Sequence, residues 1–408
     1  MARVLKIINE LALLSEGRNG ICRLAFSEAD LKARQYMMNI MKESGFAVRL
    51  DPIGNIIARY ESGTVEEGAP AVVTGSHLDT VPEGGKYDGV LGVAVAWSAV
   101  QRLKEKQLPL SHPVEVVVFA AEESSRFNFA TMGSKAMAGM ANIHAWSKAK
   151  DQNGISFSDA LTTAGLTLSD VPGATRSKKD IKAFVELHIE QGRILEQEHC
   201  VIGIVESIAA PTRLKITVEG TAAHAGTTPI EDRQDALVSA AMIILAVRNI
   251  AAEQSYEGTV ATVGAIKASP GVINVIPGKV EMWVDIRGTR QENVIEVLQE
   301  IKDAISTIAD DQDTPVSIEV ISSEKPAQMD EGINELVKAV CRDLNIPYTR
   351  VDSRAGHDAM NMAHIAPTAL IFLPCHEGIS HNPEEFVATE HISIGIDVLT
   401  ETIYRIAK

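Results

Sequence analysis

Val4, Ile7, Ile8 and Leu11 recur at the spacing of one helix face, so the chain is expected to open with an amphipathic helix. A second helical period covers residues 26–44, and the short apolar runs 55–60 and 71–76 read as strands. Residues 89–106 then read as a helix, 114–121 as a buried strand, and 183–188 as another strand. Helices alternating with short apolar strands predict an α/β domain.

Beyond Pro211 the period changes. Leu214, Ile216 and Val218 alternate, a long helix is expected over 229–252, and strands at 260–268 and 280–286 precede a helix at 293–309 and a strand at 316–321. That order, βαββαβ, is the split βαβ of a ferredoxin-like domain. The α/β alternation resumes near residue 326, with a helix at 333–344, a strand at 368–372 and a last helix from 392. A chain of 408 residues exceeds what one hydrophobic core usually supports. The expectation is therefore a catalytic domain formed by 1–210 and 326–408, interrupted by a smaller inserted domain, 211–325.

Composition narrows the partners. With 54 acidic against 38 basic residues, the net charge of -16 repels phosphate backbones and anionic bilayers, which argues against nucleic acid or membrane as a partner. The longest nearly apolar run, 89–100, falls well short of the roughly 20 residues of a membrane span. Asn9 and Glu10 interrupt the apolar residues near the start, so no secretory signal is read there, and a cytoplasmic location is expected. Cys22, Cys200, Cys341 and Cys375 stand without CxxC spacing, which gives neither a disulfide framework nor a thiolate metal site.

The chemistry gathers where strands end. A single histidine is in most cases a packing or surface residue, and His112, His144, His199, His364 and His391 are read so. Others stand beside acids: His77 with Asp79 and Asp88 in GSHLDTVPEGGKYDG, Glu122 and Glu123 closing VEVVVFAAEE, His188 with Glu190 in ELHIEQG, and His381 in GISHNPEE. Two divalent cations need a shared carboxylate and further imidazole or carboxylate ligands on each side. His77, Asp88, Glu123, His188 and His381 can supply that set, with Asp88 as the bridge. Nitrogen and oxygen donors without cysteine suit zinc, manganese or cobalt. Asp79 is expected to accept the other ring N–H of His77 and fix its tautomer. Neighbouring residues on a strand face opposite ways, so one of Glu122 and Glu123 is expected to stay off the metals, where a carboxylate suits general-base work.

These motifs, together with GTAAHAGTTP and INVIPG, resemble the M20 family of di-metal amidohydrolases and exopeptidases along nearly the whole chain. They fall closest to its branch of N-carbamoyl-L-amino acid hydrolases, β-ureidopropionases and allantoate amidohydrolases. The resemblance implies metal ligation by His77, Asp88, Glu123, His188 and His381, with Glu122 as general base. It implies that His224 donates to the oxygen of the tetrahedral intermediate, that Asn274 and Arg287 hold a substrate carboxylate, and that Gln191 touches substrate near the metals. Gly356 and His357 are expected at the pocket, with a packing role for His357 as the alternative; for Asn274 and Arg287 the alternatives are a turn former and a surface ion pair. Cys375, His376 and Arg354 depart from the branch pattern and leave the substrate side chain open. The resemblance implies hydrolysis of an N-carbamoyl-L-amino acid to amino acid, CO₂ and ammonia, with domain closure and a homodimer through the inserted domain. Allantoate is the second substrate reading, an N-acyl amino acid or dipeptide the third, and a catalytically silent binding protein the alternative of a different class.

Overall fold

The amphipathic opening forms the helix Ala2–Leu13, burying Val4, Ile7, Ile8 and Leu11. The next helix, Glu28–Glu43, starts where Ser27 accepts a hydrogen bond from the Asp30 amide. The computed structural model describes residues 1–255 and 258–408. Its chain divides into two units, Met1–Glu206 with Gln328–Lys408, and Ser207–Ala327.

In the first unit the described residues form a nine-stranded mixed sheet. Four adjacent strands run parallel at its centre, in the order Val114–Phe119, Ala71–His77, Ile181–Ile189 and Thr368–Leu373. Three of these are buried at every position and the fourth at all but Lys182, as apolar runs covered on both faces should be. Helix Val90–Glu105 packs on them, with nearly all of its first three turns buried. The register pairs His77 with Phe119 and His188 with Phe372, so the four carboxyl ends open at one rim of the sheet. In open α/β sheets that rim is where ligands bind.

Some boundaries differ from expectation. The strand expected to reach residue 121 stops at Phe119, and Ala121 turns the chain with φ of 52°. The outer strands Ile202–Ile208 and Tyr348–Ser353, which pair with each other, were not expected.

The second unit has an antiparallel four-stranded sheet in the order Val316–Ser323, Ala210–Glu219, Lys279–Gly288, Val260–Ser269. Helices Ala236–Glu253 and Gln291–Asp311 complete a β-α-β-β-α-β chain order and bury Ile243, Val247, Val297 and Ile301 against Ile216 and Met282. The first of these helices starts seven residues later than expected, because Asp235 accepts from the Leu237 and Val238 amides and so caps it there. Among the described residues this helix, and not 89–100, is long and apolar enough to cross a bilayer by length and composition, with mean hydropathy 1.7 over 18 residues. One side packs within the unit, while Leu237, Val238, Met242 and Leu245 are exposed. Ala223–His224 and Val275–Ile276 pair as a separate two-stranded ribbon.

Candidate metal site

His77 closes its strand, 2 % exposed. Its Nδ1 lies 2.9 Å from the Asp79 carbonyl oxygen, which can only accept, so Nδ1 carries the hydrogen. The other nitrogen, Nε2, then faces Asp88 Oδ1 at 3.5 Å. His188 repeats the arrangement: Nδ1 donates to the Ile189 carbonyl at 3.0 Å and Nε2 faces the same Asp88 oxygen at 3.2 Å. Two imidazole lone pairs aimed at one carboxylate oxygen repel unless a positive charge lies between them. On the other side of Asp88, Oδ2 meets His381 Nε2 at 3.2 Å, and that nitrogen is 3.4 Å from Glu123 Oε1. His77, Asp88 and His188 form one donor group, and Asp88, Glu123 and His381 another.

The charge state of the bare cluster shows the same demand. Burial opposes charge on His77, but Glu122, Asp88 and Asp79 raise its pKa well above the ordinary value. Asp88 bonding holds His188 up against burial as well, and Asp88 and Glu123 push His381 up to about 10. Burial would raise Asp88, yet the three imidazoles hold it well below the usual carboxylate range. These shifts favour positive charge on the imidazoles around Asp88, where this donor set would hold cations.

The sequence profile of peptidase family M20/M25/M40 matches residues 73–405, spanning every one of these donors. The chain belongs to that family. It is 36% identical to a ureidoglycolate hydrolase of Oryza sativa over 98% of this chain and 83% of the relative. An N-carbamoyl-L-amino acid amidohydrolase of Geobacillus stearothermophilus is 38% identical, covering 95% of this chain and 94% of its own. An allantoate amidohydrolase of Escherichia coli is 36% identical, with 95% and 93% covered. Among solved structures, a hydantoinase/carbamoylase family amidase from Burkholderia multivorans superposes with TM-score 0.88 at 34% identity, over 100% of this chain and 97% of that one.

Around the donors, this M20 chain corrects one expectation. The Asp79 carboxylate does not hold the His77 ring, whose Nδ1 is 3.9 Å from Oδ1; the Asp79 backbone carbonyl does. The carboxylate instead accepts the amides of Glu122, at 3.2 Å, and Glu123, at 3.0 Å. The Ala120 amide already leaves the sheet to bond Asn55 Oδ1 at 2.9 Å, and because the Glu122 and Glu123 amides bond Asp79, Glu122 and Glu123 need not alternate. Glu122 Oε2 lies 3.8 Å from His77 Nε2, and burial, with Glu123 and Asp358 adding like charge against the pull of His77, pushes its carboxyl well above the usual range. Gly89 is required sterically: with φ of 67°, a Cβ there would lie 2.5 Å from the His77 ring.

Gln191, also at positive φ, donates from Nε2 to Asp88 Oδ2 at 2.9 Å. Glu190 sits apart from the donors and accepts the Ile194 and Leu195 amides. His357 is buried edge-on to His188 at 4.6 Å between rings, with Nε2 3.0 Å from Ser353 Oγ; burial keeps it neutral. A Cβ on Gly356 would make only an ordinary contact with Met360. Cys375 is buried and donates to the Ile379 carbonyl, while exposed His376 meets Glu196 at 3.3 Å, so both shape the turn leading to His381. Arg354 is exposed.

In the second unit, ribbon pairing sets His224 opposite Val275, and the Ala225 amide donates to the Asn274 carbonyl. The Gly226 amide donates to His224 Nδ1 at 3.0 Å, so in the neutral ring the hydrogen resides on Nε2. Arg287 places Nε on Asp285 at 2.9 Å, in a pair shared with Arg213. Sequence reasoning missed Glu186 and Glu385. Glu186 accepts from Ser76 Oγ at 2.8 Å and from the Ala359 amide at 2.9 Å, and the signal was an acid inside the apolar run FVELHI.

Proposed function

We propose that this M20 chain hydrolyses the carbamoyl C–N bond of small ureido acids, with N-carbamoyl-L-amino acids as the preferred class, giving amino acid, CO₂ and ammonia. The observation that carries it is the pair of donor groups sharing Asp88 with the buried acid Glu122 beside them. His77, His188 and Asp88 Oδ1 would hold one divalent cation, and Asp88 Oδ2, Glu123 and His381 the other; zinc, manganese and cobalt suit these donors. Bound there, such cations supply Lewis acidity toward a carbonyl oxygen and toward water.

Glu122 takes the proton of the attacking water and returns it to the departing nitrogen, a role favoured by burial raising its carboxyl pKa well above the usual carboxylate range. His224, with its hydrogen on Nε2, donates to the developing oxyanion. Arg287 and Asn274 receive the substrate carboxylate, for which the Arg287 fork trades its Asp285 partner. Gln191, which here steadies Asp88, meets the substrate beside the metals. Gly356 and His357 would stand beside the substrate in the first unit. The β-α-β-β-α-β order of the inserted unit supports the reading that it acts as a ferredoxin-like lid. Its exposed Leu237, Val238, Met242 and Leu245, with the edge strand Val260–Ser269, fit pairing with a second copy.

Allantoate and ureidoglycolate are the second reading, favoured by the relatives bearing those names. Initial rates on N-carbamoyl-amino acids, allantoate, ureidoglycolate and N-acetyl-amino acids decide between them. A kcat/KM far higher for allantoate or ureidoglycolate reverses the preference. Glu122→Gln should cut kcat by about 10²–10⁴ while metal content holds, and an unchanged rate removes Glu122 from the mechanism.

A further inference from the structure

Glu385, the second acid of SHNPEE, is 4 % exposed. Its Oε1 accepts the Tyr87 amide at 2.7 Å and the Asp88 amide at 3.0 Å. Its Oε2 accepts from Ser380 Oγ at 3.0 Å, and that hydroxyl lies 3.2 Å from Asp88 Oδ2. Gln191 Nε2 reaches both Ser380 Oγ, at 3.2 Å, and Asp88 Oδ2, at 2.9 Å. A serine has one hydrogen to give, so Ser380 links the two carboxylates only by sharing it. Room for the Glu385 side chain exists because residue 85 is glycine: a Cβ there would lie 2.3 Å from Glu385 Cβ and 2.4 Å from Oε1.

Burying a second carboxylate beside Asp88 costs desolvation and repulsion, which a neutral glutamine offering the same acceptor would avoid. The contacts that offset this cost all lead to Asp88, through its backbone or its Oδ2 edge. They also tie the segment carrying His381 to the segment carrying Asp88. We propose that Glu385 is a positioning residue that clamps the Tyr87–Asp88 backbone and, through Ser380, the Oδ2 edge of Asp88, so that both Asp88 oxygens face the two cation positions. This rests on the reading of Asp88 as the shared metal ligand.

The test uses full-length metal-free protein titrated with Co²⁺, followed by visible absorption and chelator competition, beside thermal unfolding of the same samples. Glu385→Ala should weaken the looser of two Co²⁺ sites by about ten- to hundredfold, as loss of a residue supporting a ligand does. Glu385→Gln keeps an oxygen for both amides but has no second acceptor for Ser380 Oγ, so it should bind like Ser380→Ala and better than Glu385→Ala. Ser380→Ala removes only the link to Oδ2 and should weaken the same site at the lower end of that range; it carries the test if Glu385→Ala does not fold. Wild-type Co²⁺ binding in both Ala variants, with only the unfolding temperature lowered, would overturn the proposal, as would Glu385→Gln binding as poorly as Glu385→Ala. Wild-type protein that binds no Co²⁺ would instead overturn the metal reading on which the proposal stands.

Discussion

Replacing Asp79 with Asn tests what its carboxylate is for. The side chain is 1 % exposed and accepts two amides, from Glu122 and Glu123. Asparagine offers one oxygen, and its NH₂ would confront the second amide, leaving a buried donor unsatisfied at a cost of about 1–3 kcal/mol. An opposing effect comes from charge. Burial pushes the Asp79 carboxyl up from 3.8 to about 6, so keeping it ionised at pH 7 costs the native state roughly 3 kcal/mol, which asparagine removes. The two nearly cancel, and urea unfolding of the metal-free variant at pH 7 should lie within about 2 kcal/mol of wild type. The balance shifts with pH. A raised carboxyl pKa means that the folded wild type gains stability as pH falls from about 6 toward 3.8, where Asp79 takes up a proton, so the variant should lose up to roughly 3 kcal/mol relative to wild type between pH 7 and pH 4. In the metal-loaded enzyme kcat should fall by at least about tenfold, because the backbone that aims Glu122 is no longer held, while metal affinity changes little. A variant with unchanged kcat but metal affinity lowered by about tenfold or more would show that Asp79 serves the His77 ring after all.

His224→Ala should lower kcat by about 10²–10³ with little change in KM, since the donor is needed once charge develops; an equal loss confined to KM would place His224 in substrate binding. Under the proposed pairing through the exposed side of helix Ala236–Glu253, wild type should sediment as a dimer and Leu245→Glu, at 58 % exposure, as a monomer; a monomeric wild type, or a dimer unchanged by Leu245→Glu, would refute that pairing.

The donor constellation was legible because histidines and acids at the ends of apolar strands break an otherwise continuous pattern: His77, Glu123 and His188 stand at or just beyond such runs. The role of Asp79 was not, because its carboxylate and its backbone carbonyl both lie within reach of His77, and only the turn after Phe119 decides which one bonds the ring. Glu385 was hidden in a loop whose contacts span most of the chain, to Tyr87 and Asp88. The early part of the helix expected from 229 misled because Ile230 continues the apolar period, while the cap at Asp235 acts only through local hydrogen bonding. Strand Tyr348–Ser353 was missed because YTRVDS buries only Val351 and Ser353, too little alternation to register.

Strand Ile181–Ile189 has Ala71–His77 on one flank and Thr368–Leu373 on the other, and the latter is synthesised only after the whole inserted unit. On the ribosome, therefore, the nascent first unit emerges with a long apolar edge bare, open to pairing with a neighbouring nascent chain. Chaperone occupancy should peak during that interval and drop once the last segment docks. His381 arrives with that segment, so the donor group of Asp88, Glu123 and His381 is completed only then, whereas His77, Asp88 and His188 are already present.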